Sequence, residues 1–98
     1  APAEYDEKAV KKAWNEETAS IMTELSGKLN TTEFKSEILK EEIHHFVEEK
    51  GLGFGKVMMP LRLALVGELK GPDVPDLLEI LGKEESLTRL KLAIEKIK

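Results

Sequence analysis

A chain of 98 residues with 41% hydrophobic and 35% charged residues can build one small core, burying about 60–65% of its unfolded surface at this size. The net charge of −4, modest and mixed in sign, argues against wholesale electrostatic binding to nucleic acid or anionic lipid. The absence of cysteine excludes disulfides, thiolate zinc sites and a cysteine nucleophile. No apolar run approaches the roughly 18 residues of a membrane span, and the start "APAEYDEK" has neither the basic region nor the apolar stretch of a signal peptide. The chain reads as cytoplasmic. Opening without methionine on a charged helical pattern, it also reads as a processed part of something longer.

From about Asp6 to Ser26, Val10, Trp14, Ile21 and Leu25 recur at intervals of four or seven among good helix formers. This predicts one amphipathic helix, ended by Gly27. A second helix is expected from "NTTEFKSE": Asn30 is set to cap it while Glu33 reaches back, a variant of the capping box. Phe34, Ile38, Ile43, Phe46 and Val47 form its apolar stripe and Gly51 stops it. Residues 1–50 thus read as a helical hairpin. In "GLGFGKVMM" three glycines fall within residues 51–55 and predict a turn-rich connector, followed by a short apolar helix entered at Pro60 and left at Gly67. Another short helix begins near Pro75, with Asp73 as its cap and Gly82 as its exit. The last segment spaces Leu87, Leu90, Ile94 and Ile97 by three, four and three, giving a C-terminal amphipathic helix. Strand signals are scarce. The expected fold is a single all-α domain of about five helices, with residues 51–98 as a second half after the hairpin.

Little in the chain suggests catalysis. His44 and His45 are helix neighbours pointing about 100° apart, so they do not converge on a metal. Glu41 with His45, and Glu48 with His44, suit surface ion pairs. The adjacent glutamate pairs solvate a helix face rather than share a substrate. The serines lack nucleophile-elbow glycines, and the glycine stretch lacks the Gly-Lys-Ser/Thr ending of a P-loop. Trp14, Phe34 and Phe46 are expected in the core; Phe54, between two glycines, is either a loop anchor or a stacking surface.

The charge is uneven. Residues 1–50 carry a balance of −5 and residues 51–98 a balance of +1, and between Lys50 and Gly71 four basic residues face the single acidic Glu68. Arg62 is the one charged side chain in the run that follows Pro60. With Pro60 at the first helical position, Arg62 falls in the first turn, where the helix dipole disfavours a cation by a few tenths of a kcal/mol. Two readings stay open. An external anion or base edge could meet the guanidinium there, or Arg62 pairs internally with Asp73, Asp76 or Glu68, its stem covering apolar surface.

The stretch "GKVMMPLRLALVGELKGPDVPDLLEILGKEESLTRLKLAI" closely resembles the C-terminal end of bacterial-type glutamyl-tRNA synthetases. The shared elements are Gly55 and Lys56, Pro60 to Arg62, Ala64 to Gly67, Pro72, Leu81 to Glu84, and Arg89 with Leu90. The resemblance implies an all-helical anticodon-binding region that reads the glutamate tRNA anticodon, while a distant Rossmann domain carries out ATP-dependent aminoacylation. The signatures of that catalytic domain are missing here, and "EIHHF" is a different pattern. The chain alone is therefore expected not to be an enzyme and to need no cofactor, whereas its parent would use ATP and Mg2+. Implied partners are tRNA and the remaining synthetase domains, with no role for DNA or a membrane. By position, Arg62 matches an arginine that bonds anticodon bases and Val74 an apolar loop position beside them; Met59 is a further apolar neighbour for a base face. Lys56 and Lys70 join them, on charge alone, as expected phosphate contacts. The competing expectation is a helical structural or protein-interaction domain without RNA binding.

Overall fold

The computed structural model describes residues 5–67, 69 and 71–97, and among them forms six helices and no strand. They are α1 (Glu7–Ala13), α2 (Thr18–Asn30), α3 (Ser36–Lys50), α4 (Phe54–Val66), α5 (Val74–Leu81) and α6 (Lys83–Lys96). The all-α class is as expected, with one helix more.

The extra helix comes from a break in the first segment. Trp14 leaves α1 in an extended conformation, with φ −120° and ψ 124°, and is buried. Asn15 then offers the backbone an alternative to the helical ladder: its Oδ1 accepts the Glu17 N–H at 2.8 Å, while its own N–H donates to the Thr18 hydroxyl at 2.9 Å. The chain changes direction, so that α1 packs on α4 and α2 chiefly on α6. Gly27 does not end α2, because Leu29, two residues on, is fully buried and draws the helix onward to Asn30. Thr31 and Thr32 close it by donating their hydroxyls to the Lys28 carbonyl.

Neither expected member of a capping box acts on α3. Its first N–H, on Ser36, is taken instead by the Glu79 carboxylate of α5, which satisfies an orphan donor and sets a negative charge at the positive end of the helix. The buried stripe is Leu39, Ile43, Phe46 and Val47. Ile38 is exposed, and Phe34 lies ahead of the helix beneath the Lys83 ammonium, 5.7 Å from the ring centroid. Gly51 ends α3 as expected. The ends of α2 and α3 are joined by Lys50 with Glu24 and by Lys28 with Glu49, 3.7 Å apart. Bonding to Glu24 holds the Lys50 ammonium above its usual range. His45 also pairs with Glu49, at 3.6 Å, rather than with Glu41, because Glu49 lies one turn ahead on the side facing Lys28.

The largest difference from expectation is α4. The glycine-rich stretch is helical from Phe54, so Pro60 is the seventh residue of the helix rather than its first. A proline inside a helix costs about 3 kcal/mol relative to alanine. Against this, Val57, Leu61, Ala64 and Leu65 form a single stripe with no exposed surface, and full burial of each larger aliphatic side chain is worth about 1.5–3 kcal/mol. The stripe outweighs the proline and carries the helix through it.

The end of α4 is held from three directions. Gly67 takes the left-handed conformation, its carbonyl accepts the Asp6 N–H at 2.9 Å, and Arg89 of α6 donates Nη1–H to the Leu65 carbonyl at 2.6 Å. Arg89 also donates Nε–H to Glu85 at 2.7 Å, which holds that carboxyl below the usual range. Asp73 and Gly82 stand where the sequence put them, although the Asp73 side chain makes no capping bond; on α6 the buried residues are Ser86, Leu90 and Ala93, with the expected Leu87 and Ile94 half-buried beside them and Ile97 buried just past the helix end. One buried cluster runs from Ala9 to Ile97 and takes residues from all six helices.

Two measurements check this account. Nothing in the structure lies within 4 Å of a Cβ built on Gly27, so Gly27→Ala is expected to stabilise the protein by about 0.5–1 kcal/mol in urea unfolding. Arg89→Gln removes a charged donor from a helix-end carbonyl and should cost about 1–3 kcal/mol. In an NMR titration the same change returns Glu85 toward its ordinary value. Since the folded value is depressed, the contribution of Glu85 is present above its unfolded pKa and is lost as pH falls through the folded one.

Candidate functional site

Residues four apart on a helix share a face, and Phe54, Met58 and Arg62 form such a row along α4. Facing it is a row on α3 that includes Ser36, Lys40 and His44, and the opening turn of α5 closes the end. Together they enclose a groove of about 620 Å³, within the ~300–1,000 Å³ typical of ligand sites.

Arg62 is half-buried and donates Nη1–H to the carbonyl of Gly71 at 2.7 Å. It stands in the ninth position of α4, well away from the first turn, so the dipole conflict expected from Pro60 does not arise. Among the described residues it makes no ion pair with Asp73 or Asp76, although both line the same groove. Glu68 lies outside the described residues. The internal tie is thus to a main-chain carbonyl, which occupies one of five guanidinium N–H donors and leaves the charge uncompensated by that bond. Gly71 has φ +129°, and a Cβ there would come 4.0 Å from Arg62 Nη1. A backbone shape that only glycine adopts readily therefore presents the carbonyl to the arginine.

Val74 is the first residue of α5 rather than a loop residue; it is fully buried, and it forms part of the groove floor. Lys56 is exposed but lies about 160° around the axis of α4 from Met58, away from the groove. Lys70 falls outside the described residues. Met58, not Met59, lines the groove, because Met58 falls in the four-residue row with Phe54 and Arg62 whereas Met59 lies about 100° further round the axis. The structure thus brings Arg62 and Val74 together and leaves Lys56 apart from them.

Sequence reading missed Lys40, His44, Met58, Asp73 and Asp76 as groove residues. The four-residue spacing of Phe54, Met58 and Arg62 carried the signal, obscured by the flanking glycines. His44 pairs with no glutamate in the described ion pairs; its ring packs on Phe54 with centroids 4.8 Å apart and planes 30° from parallel. The described lining holds two cations, Lys40 and Arg62, and three carboxylates, Glu37, Asp73 and Asp76. Among the described residues no group of three or more His, Asp or Glu is set to hold a metal, and no helix is long and apolar enough to cross a membrane.

A model of the anticodon binding domain family matches residues 1–94. The chain belongs to that family. The domain is 46% identical over 99 aligned residues to a glutamate–tRNA ligase of Christiangramia forsetii and 48% identical to one of Bacteroides thetaiotaomicron, each match covering 100% of this chain and 20% of the relative. It superposes on a crystal structure of a glutamate tRNA ligase from Elizabethkingia meningosepticum in complex with its amino acid, with TM-score 0.98 and 63% identity, over 100% of this chain and 20% of that one. For the glutamate-tRNA synthetase of Elizabethkingia anophelis the TM-score is 0.87 and the identity 60%, over 98% of this chain and 18% of that one. The domain therefore spans about a fifth of the length of the relatives it matches.

The loop that holds Arg62 can be tested directly. Gly71→Ala forces a side chain into a left-handed backbone and should lower stability by about 1–3 kcal/mol, read by thermal unfolding. It should also broaden the Arg62 Nε–H resonance as the carbonyl anchor loosens.

Proposed function

We propose that this domain is the anticodon-reading part of a glutamate–tRNA ligase, and that the groove between α3, α4 and the start of α5 receives unpaired anticodon bases of the glutamate tRNA. The observation that carries the reading is Arg62, tied to the Gly71 carbonyl beside an open groove with donors left over. Family membership and the named ligases that it resembles supply the ligand class.

The chemistry suits base edges better than phosphates. With three carboxylates against two cations, the groove offers no positive track for a backbone. A fixed guanidinium beside carboxylates presents donors and acceptors side by side, the complement of a base edge that carries a ring acceptor and an exocyclic amino group. Tying the arginine down beforehand reduces the ordering cost when the base arrives. Val74 supplies an apolar floor beneath the base. Lys56, outside the groove, and Lys70 serve as phosphate contacts along the flanking strand of the anticodon stem-loop. So few phosphate contacts leave the domain by itself a weak binder, and affinity is shared with the rest of the ligase. There the catalytic domain, using ATP and Mg2+, joins glutamate to the tRNA in the cytoplasm. This domain takes no part in that chemistry and engages neither DNA nor a membrane.

Arg62→Ala in the full-length ligase is expected to raise KM for tRNA about tenfold, within the range of one bidentate base contact of roughly 1–3 kcal/mol. The turnover number and the unfolding temperature should change little. Unchanged aminoacylation kinetics would overturn the assignment and favour a purely structural role.

A further inference from the structure

Phe54 opens α4 with 45% of its surface exposed. Its ring packs on His44 at 4.8 Å between centroids with the planes 30° from parallel, so an aromatic pair stands at one end of the groove. The glycines on either side of Phe54, Gly53 and Gly55, carry no side chain to cover the ring. A Cβ on Gly55 would meet nothing within 4 Å, and one on Gly53 only the Lys56 side chain at 3.9 Å. Gly55 sits within the helix, where glycine is disfavoured relative to alanine, and no neighbouring atom of the protein requires it. Arg62 stands eight residues along the same helix face, about 12 Å away by the helical rise, with Met58 between them. Lys40 lies one turn before His44 on the facing helix.

We propose that the Phe54–His44 ring pair is a stacking platform for a second unpaired nucleotide, distinct from the one whose edge Arg62 reads. This rests on the reading of the groove as an anticodon site. Each base presents a π face, so stacking on an exposed ring tolerates any base. An aromatic platform at one end and a fixed arginine at the other hold two bases of one strand splayed apart, which is how single-stranded RNA exposes its edges to protein. Met58 separates the two subsites, its flexible thioether adapting to the bases on either side. Lys40 is positioned for the phosphate that follows the stacked nucleotide. Platform and arginine therefore divide the work: the first supplies affinity without choice of base, the second supplies the choice.

The test uses the full-length ligase that carries this chain and the anticodon stem-loop of glutamate tRNA, with each loop nucleotide replaced in turn by an abasic residue. Phe54→Ala should weaken binding about tenfold. Phe54→Leu keeps the apolar volume that anchors the helix yet should bind as weakly as Phe54→Ala, and Phe54→Trp should restore the affinity. One abasic position should erase the difference between wild type and Phe54→Ala, and it should not be the position that erases the effect of Arg62→Ala. If Phe54→Leu binds as wild type, if Phe54→Trp fails to restore binding, or if no abasic position absorbs the loss, the platform is overturned and Phe54 is only a helix anchor. If Phe54→Ala binds as wild type while Arg62→Ala is weakened, the platform fails and the groove reading stands. If neither change alters binding, the groove reading fails and takes the platform with it.

Discussion

The domain depends on the burial of one face of α4. Val57, Leu61, Ala64 and Leu65 have no exposed surface, and α4 as a whole packs most extensively on α6, α1 and α2. Burial of this kind, worth about 1.5–3 kcal/mol for each of the larger side chains, holds the helix through an internal proline. Every other feature of the site follows. Once α4 runs unbroken from Phe54 to Val66, the flank of its buried stripe presents a four-residue row of Phe54, Met58 and Arg62 to α3, and the groove exists. Arg89 and the Asp6 main chain fix the far end of the helix, so the row cannot slide or fray where Arg62 needs a fixed origin.

Around this helix the polar groups are arranged to leave the arginine's charge unspent. Asp73 and Asp76 line the same groove, yet the bond that Arg62 makes among the described residues goes to the carbonyl of Gly71. A carbonyl orients the guanidinium without neutralising it, whereas an ion pair would do both and would have to be broken for a ligand. The +129° φ of Gly71 is what turns that carbonyl toward the helix. The remaining donors and the nearby carboxylates then make a mixed surface suited to hydrogen-bonding edges. The exposed ion pairs elsewhere, such as Lys28 with Glu49 and His45 with Glu49, lie at the joined ends of α2 and α3. Each contributes about 1 kcal/mol or less, and they hold no part of the groove.

The domain spans about a fifth of its relatives' length. A domain that worked alone on RNA would need many phosphate contacts to bind at physiological salt. Here the overall charge is −4 and the groove lining has more carboxylates than cations. A lining of this balance offers few cations to a polyanion.

Periodicity and residue chemistry alone determined the all-α class, the stops at Gly51, Gly67 and Gly82, the start of α5 near Pro75, the C-terminal stripe and the place of Arg62 as the unusual charge. The order of residues around Pro60 to Arg62 and Leu81 to Glu84 carried the family. These are local signals, since a helix period, a capping glycine or a motif is complete within a few residues. What the tertiary structure decided depends on partners far along the chain. Helix α2 passes Gly27 because Leu29 reaches the common core; α3 is capped by Glu79, 43 residues away; and α4 overrides both Gly55 and Pro60 because its stripe is buried in that core. The site was legible in Arg62 and Val74 but not in His44 or Lys40, which enter it only once α3 lies along α4. Propensity and capping are worth about a kilocalorie each, and burial of a shared core exceeds them wherever they conflict.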